Sequence, residues 1–122
     1  MSDREILDAK AMERLREWGG DNLVSQMVEL FLANSPARMD QIRSGLEAGD
    51  AKETERGAHS LKSSSANLGA TEVRRLAQEM EGAASQQDLG TASSLLPALE
   101  EAYTRTRAAL EAAVPGTKDE LA

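Results

Sequence analysis

The sequence predicts an all-α domain, folded as an up-down-up-down antiparallel four-helix bundle with a short additional helix at its N-terminus. Apolar residues recur at helical spacing almost throughout the 122 residues, and no stretch alternates as a strand would. The chain has one tryptophan, one tyrosine and one phenylalanine, so its core must be aliphatic, which suits helices packed on helices. Short loops between long amphipathic segments imply antiparallel neighbours.

The first two helices are predicted on either side of Gly19-Gly20. Asp8 is a good N-cap for a short helix that ends at these glycines, and Trp18 beside them is expected to be a core anchor. Asp21 opens a long second helix, in which Pro36 predicts a kink or a brief break because proline lacks a backbone N–H. The predicted inner stripe of this segment comprises Leu23, Met27, Leu30, Phe31, Met39, Ile42 and Leu46.

The third helix is predicted from about Ala51 to Leu68. It follows the stop-and-start signal Gly49-Asp50, and Gly69 provides its C-cap. Thr71 is expected to cap the fourth helix. The predicted inner face of that fourth helix comprises Val73, Leu76, Met80 and Ala83 or Ala84.

A polar loop at residues 85–88 leads to the last predicted helix, which Val114-Pro115-Gly116 ends. The chain has the length of one domain, so residues 1–114 are assigned to a single domain and residues 115–122 to a flexible C-terminal tail. The predicted inner face of the last helix comprises Leu95, Leu99, Ala102 or Tyr103, Thr106 and Leu110.

Composition excludes several classes of function. A formal net charge of −7 argues against nucleic acid as a partner, because nucleic acids attract basic surfaces. The N-terminus lacks the apolar stretch of a signal peptide, and no run of about 18 apolar residues exists to cross a membrane, so we expect a cytoplasmic protein. The sequence has no cysteine and only one histidine, too few ligands to predict a metal site.

The single histidine, His59, lies inside the third predicted helix. A lone histidine is more often structural than functional. On a helical wheel, however, His59 lies about 140° from the centre of the apolar face, so its side chain should project into solvent. The predicted core face of this helix comprises Thr54, Ala58, Leu61, Ser65 and Leu68.

The residues around His59 fit phosphoryl transfer. A neutral imidazole is a competent nucleophile toward phosphorus, and Lys62, three residues on, can pair with phosphoryl oxygens. Ser63 and Ala66 are small and would let a partner approach closely, with Glu55 on the same face. The sequence has no glycine-rich nucleotide loop, so the chain is expected to be a phosphoryl carrier supplied by another protein and not an enzyme.

The stretch Ala58–Ala70, which reads AHSLKSSSANLGA, closely resembles the phosphoacceptor motif of the histidine-containing phosphotransfer (HPt) family. The histidine matches, as do the leucine and lysine two and three residues on and the glycine ten residues on. Matching flanks extend the resemblance over roughly residues 5–112. It implies a four-helix bundle, with His59 as the exposed phosphoacceptor and Lys62 as the phosphate-stabilising cation.

The resemblance also implies the partners. They would be bacterial response-regulator receiver domains and hybrid sensor histidine kinases of a two-component phosphorelay. The receiver's aspartate and its Mg²⁺ would perform the chemistry, so no cofactor is expected on this chain. A monomer is the simpler expectation, because one histidine per bundle suffices, and Met1 slightly favours a free-standing protein over a segment of a hybrid kinase. The kinase and regulator served, and the net direction of phosphoryl flow, are left open.

Two positions depart from the family pattern. Ser63 stands where many members have glycine, but serine is still small. Members often place a glutamine or an arginine on the next helix, near the phosphohistidine. Gln78 and Glu81 are the nearest residues of this chain, and Glu81 would repel a phosphate, so neither is assigned a role.

Two other functions compete with this interpretation. One is a receiver-binding module that sequesters its partner and is never phosphorylated. The other is the dimerisation domain of a sensor histidine kinase, in which an acidic residue usually follows the histidine and a proline lies five positions on. Ser60 and Ser64 occupy those positions here, and no nucleotide-binding domain is expected to accompany this one.

Overall fold

The computed structural model describes residues 6–113, and this part of the chain contains four α-helices and no strand. Helix α1 spans Ala9–Ala48, α2 spans Ala51–Leu68, α3 spans Thr71–Ser85 and α4 spans Leu89–Ala113. Each helix packs against the next, and α4 also contacts α1. The predicted all-α class is therefore confirmed.

Gly20 interrupts α1. Its backbone angles, φ 70° and ψ −167°, are not helical, and they fall where the sequence predicted a boundary between a short first helix and a long second one. A positive φ of this size costs a glycine little, because glycine has no Cβ. At the start of α1 the Asp8 carboxylate accepts the backbone N–H of Lys10 at 3.0 Å. The helix thus begins at the predicted cap.

Of the kink or brief break predicted at Pro36, the break is wrong and the kink stays a prediction. Residues on both sides of Pro36 are helical, and Gly20 is the only residue of α1 with non-helical backbone angles. A proline removes only one intrahelical hydrogen bond, whereas its neighbours Phe31, Ser35 and Met39 are buried in the core. Packing of that inner face holds the helix together across the proline.

Trp18 and Leu30 were predicted to be buried, and both predictions are wrong. The side chain of Trp18 is 73% exposed and that of Leu30 is 56% exposed. Ala11 belongs to the part of α1 that approaches the end of α2 at Gly69, and Trp18 lies about two turns beyond Ala11. Leu30 lies about 100° around the helix from Phe31, which occupies the inward position itself.

The N-cap of α3 is Ala70 and not Thr71 as predicted. Ala70 is fully buried, and its carbonyl accepts the backbone N–H of Arg74 at 2.9 Å. Alanine has no side-chain acceptor, so α3 begins without a side-chain cap.

The other predicted inner faces are largely confirmed. On α3, Ala84 is buried and Ala83 is partly buried, and on α4 both Ala102 and Tyr103 face the core, with Leu95 only partly buried. The remaining predicted core residues of these two helices are buried: Val73, Leu76, Met80, Leu99, Thr106 and Leu110.

Within residues 6–113, no helix has the length and apolar character needed to cross a membrane. The predicted end of the last helix at residues 114–116 and the predicted tail at residues 115–122 lie outside the described residues.

Candidate functional site

His59 lies on the outer face of α2. All five residues predicted to form the core face of this helix are buried, and the histidine side chain is 60% exposed. The exposure expected from the helical wheel is therefore confirmed. Asp50 begins the helix by accepting the N–H of Glu53 at 3.1 Å, and Gly69, with φ 71°, ends it in the left-handed conformation.

One carboxylate joins the two residues singled out on α2. Glu81 of α3 places Oε2 at 2.8 Å from His59 Nδ1 and Oε1 at 2.8 Å from Lys62 Nζ. The Glu81 side chain is 20% exposed, compared with 29% for Lys62. Neutral histidine that donates to Glu81 through Nδ1–H carries its lone pair on Nε2. The contact therefore favours Nε2 as the nucleophilic atom.

The electrostatics of the site are centred on Glu81. Partial burial raises the pKa of this carboxyl. Hydrogen bonds from Lys62 and His59, together with their charges, lower the pKa by a larger amount, so the net pKa lies below the usual glutamate value. Glu81 is consequently ionised near neutral pH. It can hold the Nδ1 proton of the imidazole and keep Lys62 beside the ring.

The contacts of Glu81 are the part of this site that sequence reasoning missed. Glu81 was considered only as a repulsive charge, whereas the structure places it in contact with His59 and Lys62. A signal was present, because Ala77, Met80 and Ala84 form the buried stripe of α3 and Glu81 borders that stripe. Gln78, the other residue considered, is exposed.

A groove runs past His59 and is lined by residues of α1, α2 and α3. Glu55, predicted to belong to the partner surface, is among them. Gly57 lets α1 come close to this part of α2, because a Cβ there would lie 2.9 Å from Ile42 Cγ1 and 3.2 Å from the carbonyl oxygen of Arg38. Besides His59, the groove is lined by Arg38, Gln41, Glu55, Arg56, Ser60 and Glu81.

The small residues that follow Lys62, residues 63–66, do not all lie on the same face of α2. Ser63 and Ala66 are exposed, whereas Ser65 is buried. Ser64 is partly buried, and its hydroxyl donates to the carbonyls of Ser60 and Leu61 at 3.1 and 3.2 Å. Ser63 and Ala66 are thus the residues of this run that face solvent.

A second groove lies between α1 and α2, next to the first. Its walls combine apolar side chains of α1 with short polar side chains of α2, and Ser60 and Arg38 border both grooves. The remaining residues of its lining are Met27, Leu30, Phe31, Asn34, Ser35, Ser64, Asn67 and Leu68.

Over residues 6–113 there is no group of three or more histidine, cysteine, aspartate or glutamate side chains placed to hold a metal ion. His59 and Glu81 together offer two ligands of this kind, and Lys62 occupies one oxygen of the carboxylate. This geometry suits hydrogen bonding to an imidazole and not metal coordination.

The sequence matches the family model of the Hpt domain over residues 26–109, well over half of the chain. The crystal structure of histidine-containing phosphotransfer protein B (HptB) from Pseudomonas aeruginosa PAO1 is similar, with 27% identity and a TM-score of 0.82 over 89% of this chain and 94% of that one. The HPT domain of an Hpt sensor hybrid histidine kinase from Shewanella has 19% identity and a TM-score of 0.78 over 91% of this chain and 95% of that one, which shows likeness of fold alone. No curated protein sequence matches significantly.

Proposed function

Because this chain belongs to the Hpt domain family and acts in two-component phosphotransfer, we propose that it carries a phosphoryl group on His59. The group would come from the aspartyl phosphate of one response-regulator receiver domain, or of a hybrid sensor histidine kinase, and pass to the aspartate of another receiver. The chain would be a carrier and not an enzyme. The observation that supports this most strongly is the exposed His59 imidazole, held at Nδ1 by Glu81 beside the Lys62 ammonium.

The transfer step follows from this geometry. His59 Nε2 attacks the phosphorus of the aspartyl phosphate, the P–N bond forms, the P–O bond breaks, and the receiver's aspartate leaves as a carboxylate. Glu81 retains the Nδ1 proton and offsets the positive charge that the ring gains. Passage to the second receiver is the reverse reaction. We expect the Mg²⁺ of this chemistry to belong to the receiver.

Lys62 is proposed to stabilise the phosphohistidine. Its ammonium lies one helical turn from His59 and already contacts the carboxylate that holds the ring. A short movement of this flexible side chain would bring Nζ to the phosphoryl oxygens. Lys62→Ala is therefore expected to slow transfer by about tenfold, equivalent to ~1.4 kcal/mol, without abolishing labelling of His59. An unchanged transfer rate would refute this role.

The receiver is proposed to dock over α2, next to the histidine. Ser63 and Ala66 present small side chains there, Glu55 lies in the His59 groove, and the half-exposed Leu30 extends an apolar wall along α1. A central apolar patch with a polar rim is the usual composition of such an interface. We expect the carrier to act as a cytoplasmic monomer, because one exposed histidine is enough for one receiver.

The finer topology is also a proposal. Connections of two or three residues, at residues 49–50, 69–70 and 86–88, join helices that pack against one another. Such short connections favour antiparallel neighbours, so the four helices are expected to run up, down, up and down. The segment before Gly20 would then be the additional N-terminal helix.

The proposal is tested by phosphotransfer from a panel of phosphorylated receiver domains and hybrid kinases to the purified chain. Wild type is expected to gain a label that is labile in acid and stable in alkali, as a phosphoramidate bond is. His59→Gln is expected to remain folded, with unchanged circular dichroism, and to take no label. Labelling of His59→Gln by the same donor would show that another residue is the acceptor.

A second outcome separates the proposal from its rival. If no donor labels the wild-type chain but a receiver binds it in a titration, the chain is a sequestering module. If binding is also abolished by placing a bulky side chain at the docking surface, as in Ala66→Trp, then that surface is the site of sequestration.

A further inference from the structure

The groove beside His59 contains cations that the proposed chemistry does not yet use. Arg38 of α1 and Arg56 of α2 both line it. Arg56 is largely exposed and faces Glu53 of its own helix at 3.9 Å. Arg38 is partly buried, so its side chain is held against the groove wall and is not free in solvent.

Arg38 has a neutral partner. Its Nη1 donates to Gln41 Oε1 at 2.9 Å, and across residues 6–113 its guanidinium makes no ion pair with a carboxylate. Arg43, five residues further along α1, shows the usual arrangement, because it contacts both Asp40 and Glu100. The charge of Arg38 is therefore available to an anion that enters the groove.

The approach of α1 to α2 fixes where Arg38 lies. Gly57 lies two residues before His59, and a Cβ on it would collide with Ile42 and with the backbone of Arg38. The backbone of α1 therefore runs directly alongside this turn of α2. Because Glu81 contacts Nδ1, the Nε2 lone pair is directed away from the Glu81 carboxylate, and Arg38 and Gln41 line the same groove from α1.

A phosphoryl group on His59 would need more positive charge than Lys62 supplies. The group carries close to two negative charges near neutral pH. The Lys62 ammonium is already paired with Glu81, whose carboxylate would face the incoming phosphoryl group as a like charge. A second cation in the lining of the same groove would offset this repulsion.

We propose that Arg38 is a phosphoryl-binding residue, whose guanidinium donates hydrogen bonds to the phosphoryl oxygens carried on Nε2 of His59. The guanidinium fork can offer two parallel N–H groups to such oxygens, which a lysine cannot. Gln41 holds the side chain beside the groove before the phosphoryl group arrives. This inference rests on the proposed function, because it requires phosphorylation of His59.

The test uses the full-length chain phosphorylated with phosphoramidate, which transfers its phosphoryl group to histidine and releases ammonia. Phosphorus NMR then follows the protonation of the phosphoryl group with pH. Arg38→Gln is expected to raise the midpoint of that titration by roughly 0.5–1 pH unit, since a nearby cation favours the dianion. It should also lower the ratio of phosphorylated to free chain, at fixed phosphoramidate and ammonia, by about threefold to tenfold.

Matched variants show whether the effect belongs to Arg38. Arg56→Gln removes a charge from the same groove, and Arg105→Gln removes one from an exposed position on α4 outside it. Both are expected to leave the midpoint within about 0.2 pH unit of wild type, as expected for exposed charges screened by solvent. Arg38→Lys should restore part of the loss. Circular dichroism and the thermal midpoint verify that each variant is folded.

The outcomes separate the two proposals. If the wild-type chain is phosphorylated on His59 but Arg38→Gln leaves the midpoint of the phosphoryl titration unchanged, this inference is overturned and the proposed function stands. An equal shift in Arg56→Gln would also overturn it, because general charge in the groove would then account for the effect. A wild-type chain that accepts phosphoryl groups from neither phosphoramidate nor any receiver would refute the proposed function and this inference with it.

Discussion

At the scale of single side chains, the two carboxylate oxygens of Glu81 contact two different residues of α2. Oε2 receives the Nδ1–H of His59 and Oε1 receives the ammonium of Lys62, each at 2.8 Å. The same carboxylate therefore sets the orientation of the ring and the position of the cation. The positions of the His59 ring and of the Lys62 ammonium therefore depend on whether the Glu81 carboxyl is ionised.

Glu81→Gln is expected to lower the free energy of unfolding at about pH 7 by roughly 1 kcal/mol, the upper end of the range for surface ion pairs, because Glu81 and Lys62 are both partly buried. The pKa of Glu81 is lowered in the folded chain, so the unfolded state binds more protons as the pH falls. The stabilisation is thus present above the ordinary glutamate value of 4.5 and is lost as the pH falls through the lower folded value.

Urea unfolding of wild type and Glu81→Gln, compared from about pH 7 down to about pH 3, measures this difference. The two curves should converge in acid. Glu101→Gln is the control, since Glu101 is exposed on α4 and has no ion pair within the described residues. A difference between wild type and Glu81→Gln that persists unchanged in acid would show that the contact contributes by packing and not by charge.

At the scale of the helices, two glycines set how closely α1 and α2 pack. A Cβ on Gly45 would lie 2.5 Å from Thr54 Oγ1, and one on Gly57 would lie 2.9 Å from Ile42 Cγ1. Both contacts are shorter than real Cβ atoms tolerate. Each glycine costs about 1 kcal/mol in helix propensity, and the close packing of α1 against α2, which no larger residue permits, offsets this cost.

Gly57→Ala is expected to destabilise the protein by roughly 1–3 kcal/mol, because the buried Ile42 and the backbone of α1 must move to admit the methyl group. Gly82→Ala, in the interior of α3 with nothing within 4 Å of the added Cβ, should instead stabilise by about 0.5–1 kcal/mol. Chemical denaturation of both variants measures the contrast. Similar stabilisation by both would mean that α1 and α2 are less closely packed than the structure shows.

The left-handed glycines that end α1 and α2 differ in their surroundings. Gly49 and Gly69 have φ values of 69° and 71°. A Cβ on Gly49 would meet nothing within 4 Å, whereas one on Gly69 would lie 2.7 Å from Ala11 Cβ and 2.9 Å from Asp8 Cβ. The carbonyl of Gly69 also accepts the N–H of Asp8 at 2.7 Å. Gly69 thus ends α2 and anchors the start of α1.

Gly49→Ala is expected to cost about 1–2 kcal/mol, the penalty for alanine in the left-handed conformation. Gly69→Ala should cost roughly 1–3 kcal/mol more, because the added methyl group must also displace the start of α1. Hydrogen exchange of the first turns of α1 is the measurement, and it should accelerate in Gly69→Ala alone. Equal exchange in the two variants would show that this end of α1 is not held by Gly69.

At the scale of the whole molecule, the aliphatic core and not the single tryptophan carries the stability. Leu99 is fully buried on α4, whereas Trp18 is 73% exposed. The tyrosine is buried with its hydroxyl 2.8 Å from Ser35 Oγ, and its ring lies 6.3 Å from that of Phe31. Stability is therefore spread over many small apolar contacts.

Leu99→Ala is expected to cost about 2–5 kcal/mol, as for other leucines removed from a core, and Trp18→Ser to change the free energy of unfolding by less than about 0.5 kcal/mol. Denaturant unfolding followed by circular dichroism tests both. In the wild-type chain, tryptophan fluorescence should already be readily quenched by iodide in the native state. A large loss of stability in Trp18→Ser would show that the tryptophan is covered in solution.

Most features that depend on one helix at a time could be predicted from the sequence, whereas the break at Pro36 and the cap of α3 at Thr71 were predicted wrongly. The apolar period predicted an all-α fold, the signals at Asp50 and Gly69 bounded α2, and the wheel predicted the exposure of His59. These succeed because the 3.6-residue period fixes which side chains share a face, and capping residues act within one turn.

Which charged side chains meet across helices depends on the tertiary packing. Glu81 meets His59 across 22 positions of sequence, Arg38 reaches the same groove from a third helix, and Trp18 is left exposed. Each outcome depends on the rotation and offset of one helix against another, which the core packing of the whole bundle sets. The residues of a single helix do not determine how that helix is rotated and shifted against its neighbours. The contacts of its outer face with other helices therefore could not be predicted from its own residues.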